Sequence, residues 1–405
     1  MVERGPGTQR KTDSLRILFT FAGGTGHFLP LVALARAAEA ADHVVAFAGQ
    51  TGMVATVEAS GFEAFDTGGA SLLVTTKRTP LLALDAEREA QAVRNSYARR
   101  IARERAAAVL PLCQQWRPDI LVCEEMDFGA LVVAEHLGLP HASLLSIGSG
   151  SFDWIDLAAE PLNELRAEYG LPHDPALAML GRYLVLSPFP PSYRDPAFPL
   201  PPTAHALRPI SSELGDDAAP TWLSGLSDKP VVYFTLGTIF NLESGDLFER
   251  VLAGLRDLPV NVVVTVGREL DPQELGPQPA NVHVERYVPQ SLLMPHCKLV
   301  VAHAGSGSVI GALAHGLPMV LIPIGADQPF NAVRCEQLRV AQVLDAVTTT
   351  PNSVREAASA VLANPSYRRN AERVRDEIAA MRSPARAVTL LERLATERAP
   401  LASTR

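Results

Sequence analysis

Residues 15–38 read LRILFTFAGGTGHFLPLVALARAA, and this stretch decides the fold. LRILFTF (15–21) is a mainly apolar, β-branched and aromatic run, which is typical of a strand buried on both faces of a sheet. The glycine turn AGGTGH (22–27) ends the strand, and the residues after it place Leu31, Leu34 and Ala38 on one face of a helix. A strand, a glycine turn and a helix in this order predict an α/β protein.

The same alternation continues along the chain. Strand-like and helix-like runs alternate from residue 15 to residue 146, including a long charged amphipathic stretch from Asp85 to Leu110, and again from residue 230 to residue 338. Helical segments starting at Asn352, Ser366 and Ala385 close the chain. Repeated alternation predicts parallel strands joined by right-handed crossovers, with helices on both faces of each sheet.

A break in the alternation divides the chain into two doubly wound parallel-sheet domains. Between Ser187 and Pro230 the pattern lapses into the Pro-rich SPFPPSYRDPAFPLPP and the polar SSELGDDAAP. Two domains also suit a chain of 405 residues, because single cores stop growing near roughly 250–300 residues. The predicted parts are a disordered tail (1–14), an N-terminal domain (15–205), a linker (206–221), a C-terminal domain (222–383) and a C-terminal helix with its tail (384–405).

Composition excludes several classes of protein. With 47% hydrophobic and 20% charged residues the chain is globular, not disordered. A formal net charge of -8 argues against nucleic-acid binding, which needs a basic surface. The one dense basic run, Arg99, Arg100, Arg103 and Arg105, is interpreted as the solvated face of a helix.

The cysteines and the apolar segments indicate a cytoplasmic protein. Cys113, Cys123, Cys297 and Cys335 are scattered without metal-ligand spacing, so we expect reduced thiols in the core. The chain opens with polar and charged residues, unlike a signal peptide. The most apolar stretch, residues 299–326, is interrupted by histidines, serines and five glycines, so no membrane span is expected.

The turn GGTGH is the first candidate site. In an open parallel sheet, ligands bind beyond the carboxyl ends of the strands. A dinucleotide fingerprint would have a third glycine where Leu29 stands, and no acidic residue ends the next strand, so nicotinamide binding is disfavoured. His27 instead lies at the start of a helix, where a neutral imidazole can accept a proton. The alternative is that His27 caps or packs the turn.

A second candidate follows the strand DILVC (119–123). Glu124, Glu125 and Asp127 come at its end, and the carboxyl ends of parallel strands share one edge of the sheet with His27. One carboxylate can accept from the imidazole and stabilise the imidazolium. We assign that role to Glu124 and helix capping to Asp127.

A third candidate is VAHAGSGSVIGALAHG (301–316). Its strand delivers His303, and the small residues from Gly305 to Ser308 allow helix N–H groups to approach an anion such as phosphate. After the next strand, IGADQPFNA (324–332) brings Asp327, Gln328 and Asn331 to the same edge. Carboxylate and amide groups suit sugar hydroxyls.

Taken together, GGTGHFLP, FTLGT, RYVPQSLLMPH and HAGSGSVIGALAHGLPMVLIPIGADQPFNA resemble the family-one glycosyltransferases, especially the actinobacterial branch that decorates antibiotics and other natural products. The similarity extends from Leu15 to the C-terminal helix. It implies the GT-B fold, in which two Rossmann-like domains face each other across a cleft and the C-terminal helix crosses back to the N-terminal domain. The order and spacing of the C-terminal motif are highly specific, whereas GGTGH alone is not.

The resemblance also implies roles for residues. His27 is expected to be the general base on the acceptor hydroxyl, with Glu124 as its acidic partner. Tyr287, where relatives often have Trp, and Val288 would flank the nucleobase, with Gln290 nearby. The full set implied for donor binding is Gly26, Thr238, Tyr287, Val288, Gln290, His303, Gly305, Ser306, Gly307, Ser308, Asp327 and Gln328. Within it, Thr238, His303 and the 305–308 backbone would hold the diphosphate, and Asp327 and Gln328 would contact the sugar.

The donor nucleotide is inferred from one departure. Relatives that use UDP-sugars often carry a glutamate for the ribose hydroxyls at the position of Gly311. A glycine there favours a deoxyribose, and hence a dTDP-sugar; the alternative is that Gly311 merely permits close packing.

The expected reaction is inverting transfer of a sugar, with a deoxysugar preferred, to a hydroxyl of a natural-product aglycone. No cofactor or metal is expected, since N–H groups can meet the leaving phosphate and no Asp-x-Asp pair is present. The acceptor pocket is expected to be lined by residues 67–79, 85–110 and 146–157. In the last range, Phe152 and Trp154 either line the pocket or anchor the core. A UDP-sugar transferase, a nucleotide-sugar epimerase of the same fold and a non-catalytic sugar-nucleotide binder remain as alternatives, and a homodimer is left open.

Overall fold

The computed structural model describes residues 14–69, 77–150, 154–209 and 220–403. Most of the predicted tail (1–14), most of the predicted linker (206–221) and Phe152 lie outside these residues.

The N-terminal sheet has seven parallel strands in the order β3-β2-β1-β4-β5-β6-β7. They are β1 Arg16–Thr20, β2 Val44–Gly49, β3 Glu63–Asp66, β4 Ile120–Glu124, β5 His141–Leu144, β6 Leu184–Ser187 and β7 Ala204–Ala206. The order reverses between β1 and β4, and ligands of open α/β sheets bind at such a reversal. The residues after β1 and at the end of β4 therefore face a natural crevice.

The C-terminal sheet repeats this plan with six parallel strands in the order β10-β9-β8-β11-β12-β13. They are β8 Val231–Thr235, β9 Asn261–Thr265, β10 Val282–Glu285, β11 Cys297–Ala302, β12 Met319–Leu321 and β13 Ala341–Val343. Its order reverses between β8 and β11. The two doubly wound sheets confirm the predicted fold class.

Helices cover both sheets. Those of the first half are α1 Thr25–Ala40, α2 Val54–Ala59, α3 Ala86–Gln91, α4 Ala102–Trp116, α5 Phe128–His136 and α6 Ile155–Glu168. Those of the second half are α7 Leu247–Leu255, α8 Gln290–Leu293, α9 Ser306–Ala314, α10 Gln328–Gln337, α11 Pro351–Ala363, α12 Pro365–Ala380 and α13 Pro384–Glu397. A π-helical stretch, Ala92–Ile101, joins α3 to α4. No helix within the described residues combines the length and apolar character needed to cross a membrane.

The last helix returns to the first domain, as predicted. The apolar face of α13, including Val388, Leu391 and Leu394, is buried in one core cluster with Phe28 and Leu31 of α1. All four cysteines are free and buried, which confirms the predicted unpaired thiols.

The Pro-rich stretch after Ser187 leads into β7 at the edge of the N-terminal sheet, where prolines are tolerated. One local prediction is wrong. Arg105 is not on a solvated face: its side chain is 2% exposed and pairs with Asp127, with Nη2 2.7 Å from Oδ2. By contrast, Arg99 and Arg103 lie on the surface and pair with glutamates of α6.

A short segment of the first domain, residues 77–84, lies on the second domain; we call it the strap. The N–H of Thr79 donates to the Leu242 carbonyl (2.7 Å), and the Gly245 N–H donates to the Thr79 carbonyl (3.0 Å). Arg78 pairs with Glu249 of α7 at 2.8 Å. These contacts hold the two domains together across the cleft.

Candidate active site

The crevice of the N-terminal sheet contains a histidine and a glutamate in contact. His27 lies in the first turn of α1, and Glu124 is the last residue of β4. Nδ1 of His27 is 3.0 Å from Oε1 of Glu124, and the side chains are 21% and 0% exposed. The structure thus brings together the two residues for which the sequence predicts a catalytic pair.

A glycine makes room for the imidazole. Gly23 has φ +143°, and a Cβ atom placed on it would lie 2.3 Å from Cδ2 of His27. Gly26 faces open space, with no atom within 4 Å of such a Cβ. In the GGTGH turn, Gly23 therefore leaves room for the His27 ring, and Gly26 adds no side chain over the start of α1.

The charges around His27 favour its protonated form. Burial alone would lower the pKa of His27, but the charge and hydrogen bonding of Glu124, with the charges of Asp327 and Glu125, outweigh it and raise the pKa above its ordinary value. Asp327 belongs to the C-terminal domain. Charges on both walls of the cleft therefore influence the pKa of His27.

The acidic residues after β4 have separate tasks. Ser146 donates its hydroxyl to Oε1 of Glu124, and Oε1 of Glu125 accepts the N–H groups of Ser146 (2.7 Å) and Ile147 (2.5 Å). Oδ1 of Asp127 accepts from the Ala130 N–H (3.3 Å), which confirms that Asp127 caps α5. The pairing of Asp127 with Arg105 has no local signal in the sequence, and no role was predicted for Glu125.

Tyr97, in the π-helical stretch, is a further residue that sequence reasoning missed. Its ring centroid is 6.1 Å from that of His27. Burial and the charges of Glu124 and Asp327 raise the pKa of Tyr97 well above its usual value, so its phenol stays protonated. The only available signal was its place in an amphipathic stretch, and π-helical turns often mark functional sites.

The crevice of the C-terminal sheet contains a second histidine. His303 follows β11, is 8% exposed and lies between two glycines: a Cβ on Gly237 would be 2.6 Å from its Nε2, and one on Gly305 2.5 Å. Burial lowers the pKa of His303 to about 4, against a hydrogen bond with the backbone of Thr235. The imidazole is neutral at pH 7 and therefore interacts as a hydrogen-bonding group without charge. Thr238, after β8, is exposed.

The glycine- and serine-rich turn begins α9. Gly305 is its N-cap and supplies no side-chain cap, so backbone N–H groups of the first turn, which includes Gly307, remain for an anion. The Ser306 hydroxyl donates to Oδ2 of Asp327 (2.6 Å) and accepts from the Gly148 N–H (2.9 Å). The hydroxyl of Ser306 is thus bonded to other protein groups. Only the backbone N–H of Ser306 is left for the predicted phosphate binding.

Ser308 and Gln290 contact each other near the predicted nucleotide site. Nε2 of Gln290 donates to the Ser308 hydroxyl at 3.3 Å. A Cβ on Gly311, one turn further along α9, would lie 3.1 Å from Cε of Met294 and 3.3 Å from Oε1 of Gln290. Gly311 thus fits both explanations: it provides no carboxylate, and it permits close packing against Met294 and Gln290.

Tyr287 and Val288 line an open cavity of about 890 Å³. The guanidinium carbon of Arg268 lies 4.2 Å from the centre of the Tyr287 ring, in cation–π geometry. Arg268 is a lining residue that the sequence did not reveal, since it lies in a different loop. Arg268 stacks on the ring of Tyr287, the residue that the resemblance predicts to flank the nucleobase.

The residues predicted to contact the sugar differ in their surroundings. Oδ2 of Asp327 accepts from Ser306 and from Nδ2 of Asn331 (2.7 Å), and burial raises the pKa of Asp327. Oε1 of Gln328, which is 1% exposed, accepts from the N–H groups of Ile324 (2.7 Å) and Gly325 (3.2 Å). The side-chain carbonyl of Gln328 therefore stabilises the turn that precedes α10. Only the side-chain amide nitrogen is left for a ligand.

Of the predicted acceptor walls, Trp154 is an anchor of the core. It is 4% exposed and packs on Phe128, with ring centroids 4.9 Å apart. Within the described ranges, no group of three or more metal-ligating side chains could hold a metal ion.

Two facing doubly wound domains, with a histidine–carboxylate pair on one side of the cleft and a helix N-terminus on the other, define the GT-B fold. Residues 249–394 match the family model described as "Erythromycin biosynthesis protein CIII-like, C-terminal domain". The chain is 30% identical over 331 residues to the 4'-demethylrebeccamycin synthase of Lentzea aerocolonigenes, covering 71% of this chain and 76% of that one.

Other similar proteins agree. The aclacinomycin-T 2-deoxy-L-fucose transferase of Streptomyces galilaeus is 28% identical over 95% of this chain and 97% of its own. The crystal structure of the glycosyltransferase VinC in complex with dTDP superposes with a TM-score of 0.76 at 23% identity, over 95% of this chain and 100% of that one. The chain belongs to the actinobacterial glycosyltransferases of antibiotic and natural-product biosynthesis.

Proposed function

We propose that this glycosyltransferase transfers a sugar, preferably a deoxysugar, with inversion from a dTDP-sugar to a hydroxyl of a natural-product aglycone, with His27 as general base. The contact between His27 and Glu124 is the observation that carries the proposal. The carboxylate 3.0 Å from Nδ1 favours the tautomer with its proton on Nδ1, which leaves the lone pair of Nε2 free to accept a proton.

The chemical step needs one proton acceptor and one stabilised leaving group. The acceptor hydroxyl gives its proton to Nε2 of His27 as its oxygen forms a bond to the anomeric carbon. The bond from that carbon to the β-phosphate oxygen breaks, and the nucleoside diphosphate leaves with the electron pair. Glu124 stabilises the imidazolium formed, because an opposite charge at 3.0 Å favours the charged ring.

The leaving diphosphate is proposed to be stabilised without a metal. The N–H groups at the start of α9 point out of its N-terminus, where the helix dipole places partial positive charge. When the diphosphate binds, the single ring N–H of the neutral, buried His303 is proposed to donate to it in place of the Thr235 backbone. A protein with a net charge of -8 can bind an anion in this way through local dipoles.

The choice of dTDP depends on Gly311. No carboxylate can accept from a ribose 2'-hydroxyl at this position, and the tight contact with Met294 disfavours a longer side chain. VinC, a protein of similar fold, is known in complex with dTDP. Selection of UDP-sugars is the competing proposal. The cytoplasmic location and a homodimer also stay predictions from the sequence.

A donor panel tests the proposal. The protein is heated with dTDP or with UDP at the same concentration; a nucleotide present at about 100 times its dissociation constant stabilises by about 2.7 kcal/mol. At equal concentrations dTDP should raise the Tm more than UDP; the reverse order would refute the Gly311 argument. NMR of the glycoside made from an α-linked donor and an aglycone panel should show the β-anomer. Isomerised sugar in the absence of an acceptor would indicate an epimerase instead.

A further inference from the structure

A loop of four residues, 146–149, connects the two sides of the cleft. It follows the strand β5 and belongs to the N-terminal domain. Two of its N–H groups, those of Ser146 and Ile147, donate to the same oxygen, Oε1 of Glu125, at 2.7 and 2.5 Å. Both N–H groups at the start of the loop are therefore bonded to one oxygen of Glu125.

The end of the same loop is bonded to the C-terminal domain. The Gly148 N–H donates to the Ser306 hydroxyl (2.9 Å), and the Ser149 hydroxyl donates to Oδ1 of Asn331 (3.2 Å). Ser306 and Asn331 in turn both donate to Oδ2 of Asp327. A shift of the loop would thus reach the carboxylate predicted to contact the sugar.

The first residue of the loop also contacts the catalytic pair. The Ser146 hydroxyl donates to Oε1 of Glu124, the oxygen that lies 3.0 Å from Nδ1 of His27. Within four residues, the loop contacts the partner of the base at one end and the group around Asp327 at the other.

Glu125 has no step of its own in the transfer chemistry, although it is fully buried beside the base. A carboxylate buried in this way is costly unless it is hydrogen-bonded, and both loop N–H groups donate to its Oε1. Its neighbour Glu124 contacts His27 directly, whereas Glu125 contacts the loop. Glu124 is therefore placed to act on the base, whereas Glu125 is placed to hold the loop.

We propose that Glu125 is a positioning residue, which holds loop 146–149 so that Ser146 orients Glu124 against His27 while Gly148 and Ser149 keep Asp327 in place on the opposite wall. The proposal rests on the proposed function, because it takes His27 as the base. It assigns the alignment of acceptor and donor sites to a residue that touches neither substrate.

Two substitutions at Glu125 separate positioning from general disruption. Glu125→Ala removes the acceptor of both N–H groups, and we expect kcat to fall at least roughly tenfold, since small misplacements at a reacting centre are costly. Affinity for dTDP, measured by calorimetry, should be unchanged. Glu125→Gln keeps a carbonyl oxygen for both N–H groups and should restore most of kcat. Turnover is followed as dTDP released from dTDP-glucose with the best acceptor of the panel.

A second readout follows His27 itself. The groups that face its ring are Glu124, Glu125, Asp327 and Tyr97. Because the charge of Glu125 helps to raise the pKa of His27, both variants should lower that pKa in an NMR titration of ¹³C-histidine-labelled protein, and shift the acid limb of the kcat profile to lower pH. Glu135→Gln is the control, because Glu135 pairs with Arg166 far from the cleft and should leave the His27 titration unchanged.

The outcomes are distinct. Wild-type kcat and an unchanged His27 titration in Glu125→Ala would overturn the inference, and so would equal losses of kcat and of dTDP affinity in both variants. His27→Ala, measured in parallel, tests the proposed function separately. If His27→Ala is inactive and Glu125→Ala is normal, only the positioning role fails; if His27→Ala turns over normally, the base assignment fails first.

Discussion

His27 and His303 each lie at the strand-order reversal of their own sheet, His27 in the helix after β1 and His303 directly after β11, yet their environments are opposite. Each follows a central strand at the point where the strand order reverses, and each ring lies against glycine. Carboxylates surround His27 and raise its pKa, whereas burial lowers the pKa of His303 to about 4. Neighbouring charge thus decides that one imidazole can take up a proton, while the other stays neutral and serves as a hydrogen-bonding group.

The largest effect is expected when each histidine is removed in turn. His27→Ala should lower kcat by roughly 10²–10⁴-fold and leave the Kd for dTDP unchanged, because general-base help is lost while the phosphate site is intact. His303→Ala should weaken dTDP binding by about tenfold to hundredfold, the value of a hydrogen bond to a charged group. Steady-state kinetics and calorimetry with dTDP measure the two effects.

His303→Asn is the matched control for the second variant. It keeps a side-chain N–H and should recover part of the dTDP affinity. Loss of dTDP binding in His27→Ala, or loss of kcat alone in His303→Ala, would contradict the division of roles.

The charge difference between the two histidines can be reduced by Glu124→Gln. His27 must be neutral to accept a proton, so kcat rises with pH through its raised pKa. Removing the charge of Glu124 lowers that pKa, and the rising limb of the pH profile should move to lower pH while the maximal kcat falls. The same limb measured in His303→Asn should stay at the wild-type pH; a joint shift would mean that His303 also titrates.

The glycines beside the rings test whether packing places both histidines. An alanine at Gly23 would have φ +143° and a methyl 2.3 Å from the His27 ring, so Gly23→Ala should lower kcat. Gly305→Ala would press on His303 instead and should weaken dTDP binding. Overpacking of this kind costs about 1–3 kcal/mol in urea unfolding. Gly225→Ala is the control, since its methyl meets nothing within 4 Å.

The smallest effect is expected at the strap, which joins the domains that carry the two histidines. Arg78 and Glu249 are 17% and 45% exposed, so Glu249→Gln should cost only about 0.2–1 kcal/mol of unfolding free energy. Asp257→Asn, which loses the more exposed pair with Arg355, should cost no more. A loss above about 2 kcal/mol in Glu249→Gln is twice the usual upper limit for an exposed ion pair. It would show that the Arg78–Glu249 pair contributes strongly to holding the domains together.

Much of the site was predictable because its signals are local. A buried strand, a glycine turn and a helix place His27 at one edge of the sheet, and the next central strand ends at Glu124 on the same edge. Topology therefore predicts that the two residues lie at the same edge, and the structure adds their separation of 3.0 Å. Capping by Asp127 was equally local, since it depends on a residue three positions away.

Other features depend on contacts that no local pattern contains. Arg105 was misjudged because the basic run was interpreted from its charge alone. Arg103 and Arg105 both lie in α4, where residues two apart are separated by about 200° and face opposite sides, and the buried partner Asp127 comes from another element. The hydroxyl of Ser306 is occupied by Gly148, and the face of Tyr287 by Arg268, each from a loop distant in sequence. Such contacts are determined by how the domains and loops meet.

The return of α13 to the first domain has a consequence for synthesis of the chain. Leu391 and Leu394 complete a core whose other members, such as Phe28 and Leu31, leave the ribosome more than 350 residues earlier. Because domains fold in the order of synthesis, the N-terminal half must wait with an uncovered apolar surface until residues 384–397 emerge. Nascent chains arrested before residue 384 should therefore be cleaved by protease around α1, and full-length chains should be protected there.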